Sequence, residues 1–197
     1  MNETRSRSTS ILSLALALAL AACSGGGEPP LQGAAIGGPF TLVDQDGQTV
    51  TDRDYAGRYR IMYFGFTHCP DICPTDLAVI GQALRRFEKS DPARAARVIP
   101  IFVSVDPERD SPTVLKEYVA SFHPRLIGLT GTPKQVAEMT RRYGAYGARE
   151  APAAGDGYNV NHSRLAELIG PNGEPIALLP YEKGAEAVAA ELDRWVR

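Results

Sequence analysis

Two stretches of this chain have no polar face. Tyr59–Phe66 reads YRIMYFGF and Ile101–Val105 reads IFVSV, each nearly continuous in apolar and aromatic side chains. Successive side chains of a strand point to opposite faces, so a strand apolar at every position has to be covered on both sides. The first run leads through a loop to a helix expected from about Thr75, where Leu77, Ile80, Leu84 and Phe87 recur at helical spacing. Pro100, just before the second run, is acceptable only at a strand's start. A chain of 197 residues with 44% hydrophobic and 22% charged side chains can supply such a core, and it is not the composition of a disordered tail.

The remaining segments alternate between strand and helix. Phe40–Val43 and Gln48–Thr51 flank Asp44-Gln45-Asp46-Gly47, a hairpin with Asp-Gly in its turn. Ser111-Pro112 opens a helix with the stripe Val114, Leu115, Tyr118, Val119 and Phe122, and Arg125–Leu129 is a short strand. Thr132-Pro133-Lys134-Gln135 carries a capping box and opens a helix with Val136, Met139 and Tyr143. A Gly/Ala/Pro-rich loop is expected over 147–157, followed by strands at Tyr158–His162, Leu165–Ile169 and Pro175–Leu179, with a turn at Pro171-Asn172-Gly173. The last helix has the stripe Ala185, Val188, Ala189, Leu192, Trp195 and Val196. With no internal repeat, this order predicts a single α/β domain, a three-layer sandwich with an N-terminal β-hairpin.

The N-terminus reads as an address. Arg5 and Arg7 precede the apolar run Ile11–Ala22, which is too short for a membrane span of roughly 17–25 residues and has the layout of a signal peptide. The junction Leu20-Ala21-Ala22-Cys23 resembles the lipobox of bacterial lipoproteins, which implies cleavage before Cys23 and diacylglycerol on its thiol. The expected organisation is a lipoprotein signal peptide at 1–22, a flexible lipidated linker at 23–35 and the folded domain at 36–197. The domain would then be tethered to a membrane in the cell envelope, facing the periplasm or another extracytoplasmic space. With 21 basic against 23 acidic side chains, no cationic excess is available to hold nucleic acid.

Two further cysteines carry the chemistry. Phe64-Gly65-Phe66-Thr67-His68-Cys69-Pro70-Asp71-Ile72-Cys73-Pro74 places Cys69 and Cys73 between a buried strand and a helix entrance, where free backbone N–H groups and the helix dipole favour the thiolate. Three intervening residues set the sulfurs about one helical turn apart, near enough to share a metal ion or to close into a disulfide. Spacing alone leaves both open. If a metal is held, two thiolates with one histidine form a soft three-ligand set that suits copper. The chain has three histidines. His68 adjoins Cys69, and its side chain points the other way if that stretch is extended. His123, between a helix and Pro124, reads as a solvated turn residue, and His162 as a strand-end residue.

The segment Phe64–Leu77, with Ser104-Val105-Asp106-Pro107-Glu108-Arg109-Asp110-Ser111-Pro112, Gly128-Leu129-Thr130-Gly131 and Val160-Asn161-His162-Ser163, resembles the Sco/SenC family from about residue 35 onward. The resemblance implies a thioredoxin-like fold. It implies a copper-binding metallochaperone for the CuA centre of cytochrome c oxidase, with Cys69, Cys73 and His162 as ligands to Cu(I) or Cu(II). No substrate is turned over in that role. The alternative is a thiol–disulfide oxidoreductase that reduces the CuA-site cysteines, in which Cys69 and Cys73 form the redox pair and its disulfide. Expected partners are the CuA-bearing oxidase subunit, other periplasmic copper chaperones and thiol reductants. Asp71, between the cysteines, is a candidate for tuning the metal or handing it over. Asn161 stands where the family usually has Asp, a departure that bears on the support of the neighbouring histidine.

Overall fold

The computed structural model describes residues 27–150 and 158–197. The proposed signal peptide and Cys23 lie outside the described residues. The first strands, β1 (Thr41–Asp44) and β2 (Thr49–Thr51), form the expected hairpin. Its turn is held by Asp44 Oδ1, which accepts from the N–H groups of Asp46 and Gln48, and Gly47 supplies the left-handed φ of 80°.

Strands β3 (Tyr59–Gly65), β4 (Val98–Ser104) and β5 (Ile127–Thr130) run parallel at the centre of a seven-stranded sheet. With β8 (Ala166–Ile169) and β9 (Pro175–Leu178), the order is β2-β1-β5-β4-β3-β8-β9. Both apolar runs are buried at every position. Ile61 and Tyr63 face a core built with α1 (Ile72–Ser90), α3 (Pro112–Ala120) and α5 (Ala185–Trp195). Met62, Phe64 and Phe66 face a second core containing Val136 and Met139 of α4 (Pro133–Arg142). The short helix α2 (Pro92–Ala95) follows α1. This is the three-layer arrangement expected. Ser111 and Thr132 accept from the N–H groups of Val114 and Gln135, as helix N-caps do.

The structure departs from the sequence expectations at four places. Helix α1 starts at Ile72, not Thr75, because Pro74 falls in its first turn, where a missing N–H costs nothing. Residues Gly147–Glu150 are a strand, β6, not a loop: they pair antiparallel with β7 (Asn159–His162) in a separate two-stranded sheet. Gly147 lets this hairpin sit on the body, since a Cβ there would lie 2.6 Å from Val105 Cβ. Val114, expected in the apolar stripe of α3, is exposed. The Gly/Pro-rich stretch before the domain is also ordered earlier than its composition implied. Gln32 and Ala34 close successive turns onto Pro29 and Leu31, and the Leu31 N–H donates to the Ile176 carbonyl at 3.0 Å.

Candidate metal centre

The loop from Phe66 to Asp71 leaves the C-terminal end of β3 and delivers Cys69 opposite the first turn of α1. Its path is fixed by one carboxylate. Asp110, fully buried, accepts from the Thr67 N–H at 3.0 Å, from Thr67 Oγ1 at 2.6 Å and from Ser104 Oγ at 2.6 Å. The Cys69 N–H returns to the Phe66 carbonyl at 3.2 Å, and the Cys73 N–H donates to Cys69 Sγ at 3.4 Å. Both cysteines are free thiols, Cys69 half-buried and Cys73 fully buried.

His162, the last residue of β7, arrives from the far end of the sequence. Its Nε2 lies 3.4 Å from Cys73 Sγ, and its Nδ1 is 2.9 Å from the Ser163 carbonyl. That carbonyl can only accept, so Nδ1 carries the proton and donates, and neutral imidazole keeps its lone pair on Nε2, facing the sulfur. The Phe66 ring meets the imidazole edge to face at 5.6 Å. The donor atoms of Cys69, Cys73 and His162 lie within 4.8 Å of one another. That is the scale on which one soft ion, at about 2.0–2.3 Å from each nitrogen and sulfur donor, can be held.

Beneath the sulfurs, Tyr63 donates its hydroxyl to Asp76 Oδ2 at 2.9 Å. Asp76, buried one turn along α1 from Cys73, is clamped by Arg164 at 2.9 and 3.2 Å. The expected thiolate character of the pair does not hold at Cys73. Burial pushes its thiol up to about 12, and neighbouring Cys69 adds to the rise against hydrogen bonds from Phe66 and Tyr63. Desolvation here outweighs the helix terminus.

A cavity of about 400 Å³ opens beside the three donors, lined by Phe66, Cys69, Asp71, Ile72, His162 and Arg164 among others. Asp71 holds the N-cap position of α1 without using its side chain as a cap, so its carboxylate stays at the cavity rim. Asn161 also lines this cavity and accepts from Tyr146 Oη at 3.1 Å. His68 is half-exposed and contacts Thr67 Oγ1 at 3.1 Å, outside the three-donor cluster. His123 corrects a sequence expectation. It is not solvated but 2% exposed, its Nε2 3.5 Å from Glu88, and burial lowers its pKa. Sequence reasoning missed Gly65, Tyr63, Asp76 and Asp110. The spacing of Asp76 from Cys73 on one helix was the available signal, and for the others no local pattern exists.

A two-thiol, one-imidazole centre at the strand-to-helix turn of a three-layer sheet defines a thioredoxin-like protein with a soft-metal or redox site. The thioredoxin domain of a Bacteroides vulgatus thiol–disulfide oxidoreductase shares this fold, with a TM-score of 0.56 at 15% identity over 84% of this chain and 98% of that one. Residues 28–197 match the SCO1/SenC family, and the chain belongs to it. The copper-bound structure of Bradyrhizobium japonicum ScoI is 41% identical, with a TM-score of 0.73 over 81% of this chain and 99% of that one. The human mitochondrial SCO1 homolog is 36% identical over 162 residues, which are 82% of this chain and 53% of the relative. The chain spans about half the length of the curated relatives it matches.

Proposed function

We propose that the protein is a copper-binding metallochaperone that serves assembly of the CuA centre of cytochrome c oxidase. The observation that carries this reading is the convergence of the Cys69, Cys73 and His162 donor atoms within 4.8 Å. Copper is cargo here. Two thiolates and a neutral imidazole hold it as Cu(I) or Cu(II), and it leaves by stepwise exchange of these ligands for the cysteines of the oxidase subunit. Each thiol gives up its proton on uptake, and Nε2 of His162 needs none removed because Nδ1 carries it. Asp71, at the cavity rim, would meet an incoming partner first. The copper-bound Bradyrhizobium relative supports the choice of metal. The lipobox at Cys23 supports a domain tethered outside the cytoplasm by lipid, and among the described residues no helix is long and apolar enough to cross a membrane.

The test is anaerobic Cu(I) competition titration of wild type, Cys69→Ser, Cys73→Ser and His162→Ala. One copper per chain is expected for wild type, with loss of affinity in each variant. Affinity unchanged by any of these substitutions refutes the ligand set.

A second reading, reduction of the oxidase's cysteines, is favoured by the 3.4 Å contact between the Cys73 N–H and Cys69 Sγ, which keeps the two thiols adjacent. In it the dithiol passes two electrons and two protons to a partner disulfide and becomes a Cys69–Cys73 disulfide. His162→Ala separates the two: it abolishes copper retention and leaves dithiol exchange intact.

A further inference from the structure

The opposite pole of the central sheet holds a cation without a counterion. Arg60, near the start of β3, is only 3% exposed, and a guanidinium stays protonated at any physiological pH. Its Nη2 donates to the Gly170 carbonyl at 3.1 Å, while its Nε is fully enclosed with no partner. No carboxylate lies within ion-pairing distance of Arg60 among the described residues. Buried charge is ordinarily paired because desolvating it alone is costly.

Arg60 lines a cavity of about 500 Å³ with Tyr143, Gly38, Gly173, Asp52 and Arg53. Gly38 and Gly173 both have left-handed φ, 126° and 90°, so the wall there is bare backbone. A Cβ at Gly173 would stand 3.5 Å from Arg60 Nη2, and one at Gly38 3.5 Å from Arg142 Nη1. The one acid of the wall, Asp52, uses Oδ1 to accept from the Phe40 N–H at 3.3 Å. Arg53 and Arg142, like Arg60, are in no ion pair among the described residues. The lining therefore sets two guanidiniums, Arg60 and Arg53, against one committed carboxylate.

We propose that this cavity binds a small oxyanion, a phosphate or carboxylate group, with Arg60 as its buried anchor and Arg53 at its mouth. The volume suits a small molecule, and guanidinium geometry suits two-oxygen recognition. Arg60 is separated from Gly65 by about 17 Å of strand, so the site is distinct from the three-donor centre. Its occupant stabilises the fold by mass action, because the unfolded chain has no such site.

The experiment is thermal and calorimetric titration of the metal-free protein with inorganic phosphate and, separately, with citrate, each against sodium chloride at equal ionic strength. Saturable stabilisation by one of them is expected, and whichever saturates identifies the source of the oxyanion. Arg60→Met should weaken it at least tenfold, with a smaller loss in Arg53→Ala. Stabilisation no greater than that by chloride, or equal in wild type and Arg60→Met, overturns the proposal. Should Arg60→Met fail to fold, NMR titration of wild type decides: shifts saturating at the Gly38 and Gly173 amides support the site, and shifts elsewhere only refute it. Copper affinity is unchanged in both variants, so failure here leaves the metal reading standing.

Discussion

Gly65 is the residue on which the metal centre depends most for space. It ends β3 directly against Cys73, and a Cβ there would stand 2.7 Å from Cys73 Sγ, 3.0 Å from Phe102 Cε2 and 3.2 Å from Tyr63 Cε1. Its φ is outside the left-handed region, so Gly65→Ala meets a steric cost alone. All three neighbours are fully buried, and the sulfur, as the nearest, has the furthest to move. Reaching an ordinary 3.4 Å contact requires 0.7 Å of displacement. Overpacking of this kind costs about 1–3 kcal/mol. Metal ligands tolerate errors of about 0.2 Å, so the same shift should lower Cu(I) affinity by about 10–100-fold. Urea unfolding reads the first effect and anaerobic Cu(I) competition the second. In a Cys73→Ala background the stability cost should shrink, since the closest clash is gone. A Gly65→Ala protein with wild-type unfolding midpoint and wild-type copper affinity would refute the reasoning.

Three other substitutions or treatments test separate parts of the argument. Asp110→Ala strands three donors beneath the Cys69 loop and should cost about 3 kcal/mol. Amide exchange at Thr67 should quicken with it, and unchanged exchange would show that the loop is held otherwise. Cys73 is buried with its thiol pushed up to about 12, so iodoacetamide at pH 8 should label Cys69 first and reach Cys73 only in denaturant; equal rates in the folded protein contradict this. Since the folded value of Cys73 exceeds its unfolded one, its contribution to stability is complete below about pH 9 and disappears as pH rises towards 12. Glu167 is fully buried with neither carboxylate oxygen hydrogen-bonded, and burial pushes its carboxyl up to about 8. Its protonated form therefore supports the fold fully below about pH 4.5, and that support is lost as pH rises through 8. Urea midpoints should fall across this window in wild type and stay flatter in Glu167→Gln; parallel curves would rule the effect out.

The features that could be read from the sequence are those whose causes are local. The capping box of Thr132 and Gln135, the Ser111-Pro112 start and the alternating faces of Tyr59–Phe66 each act within a few residues, and each reappears in the structure. Cys69 and Cys73 share that legibility, because one short loop sets both. His162 does not: nothing around it distinguishes it from any strand-end histidine, and only the family resemblance singled it out. Strand β6 was hidden for a related reason. All four of its residues are exposed, and among the described residues it pairs only with β7, beyond an intervening segment. The same contrast explains the two charge-state surprises. The helix terminus beside Cys73 is local and favours a thiolate, whereas its burial is assembled from β3, α1 and the histidine strand together. His123, a turn residue by its neighbours, is likewise enclosed by the α1 surface that carries Glu88. Burial is a sum over distant elements, and at Cys73 that sum wins. Without metal, Cys73 accordingly rests as a protonated thiol, and metal must displace a proton from it. Uptake at Cys73 should therefore strengthen with pH well past neutrality, and a copper affinity flat between pH 6 and 9 would show that the thiol is already ionised.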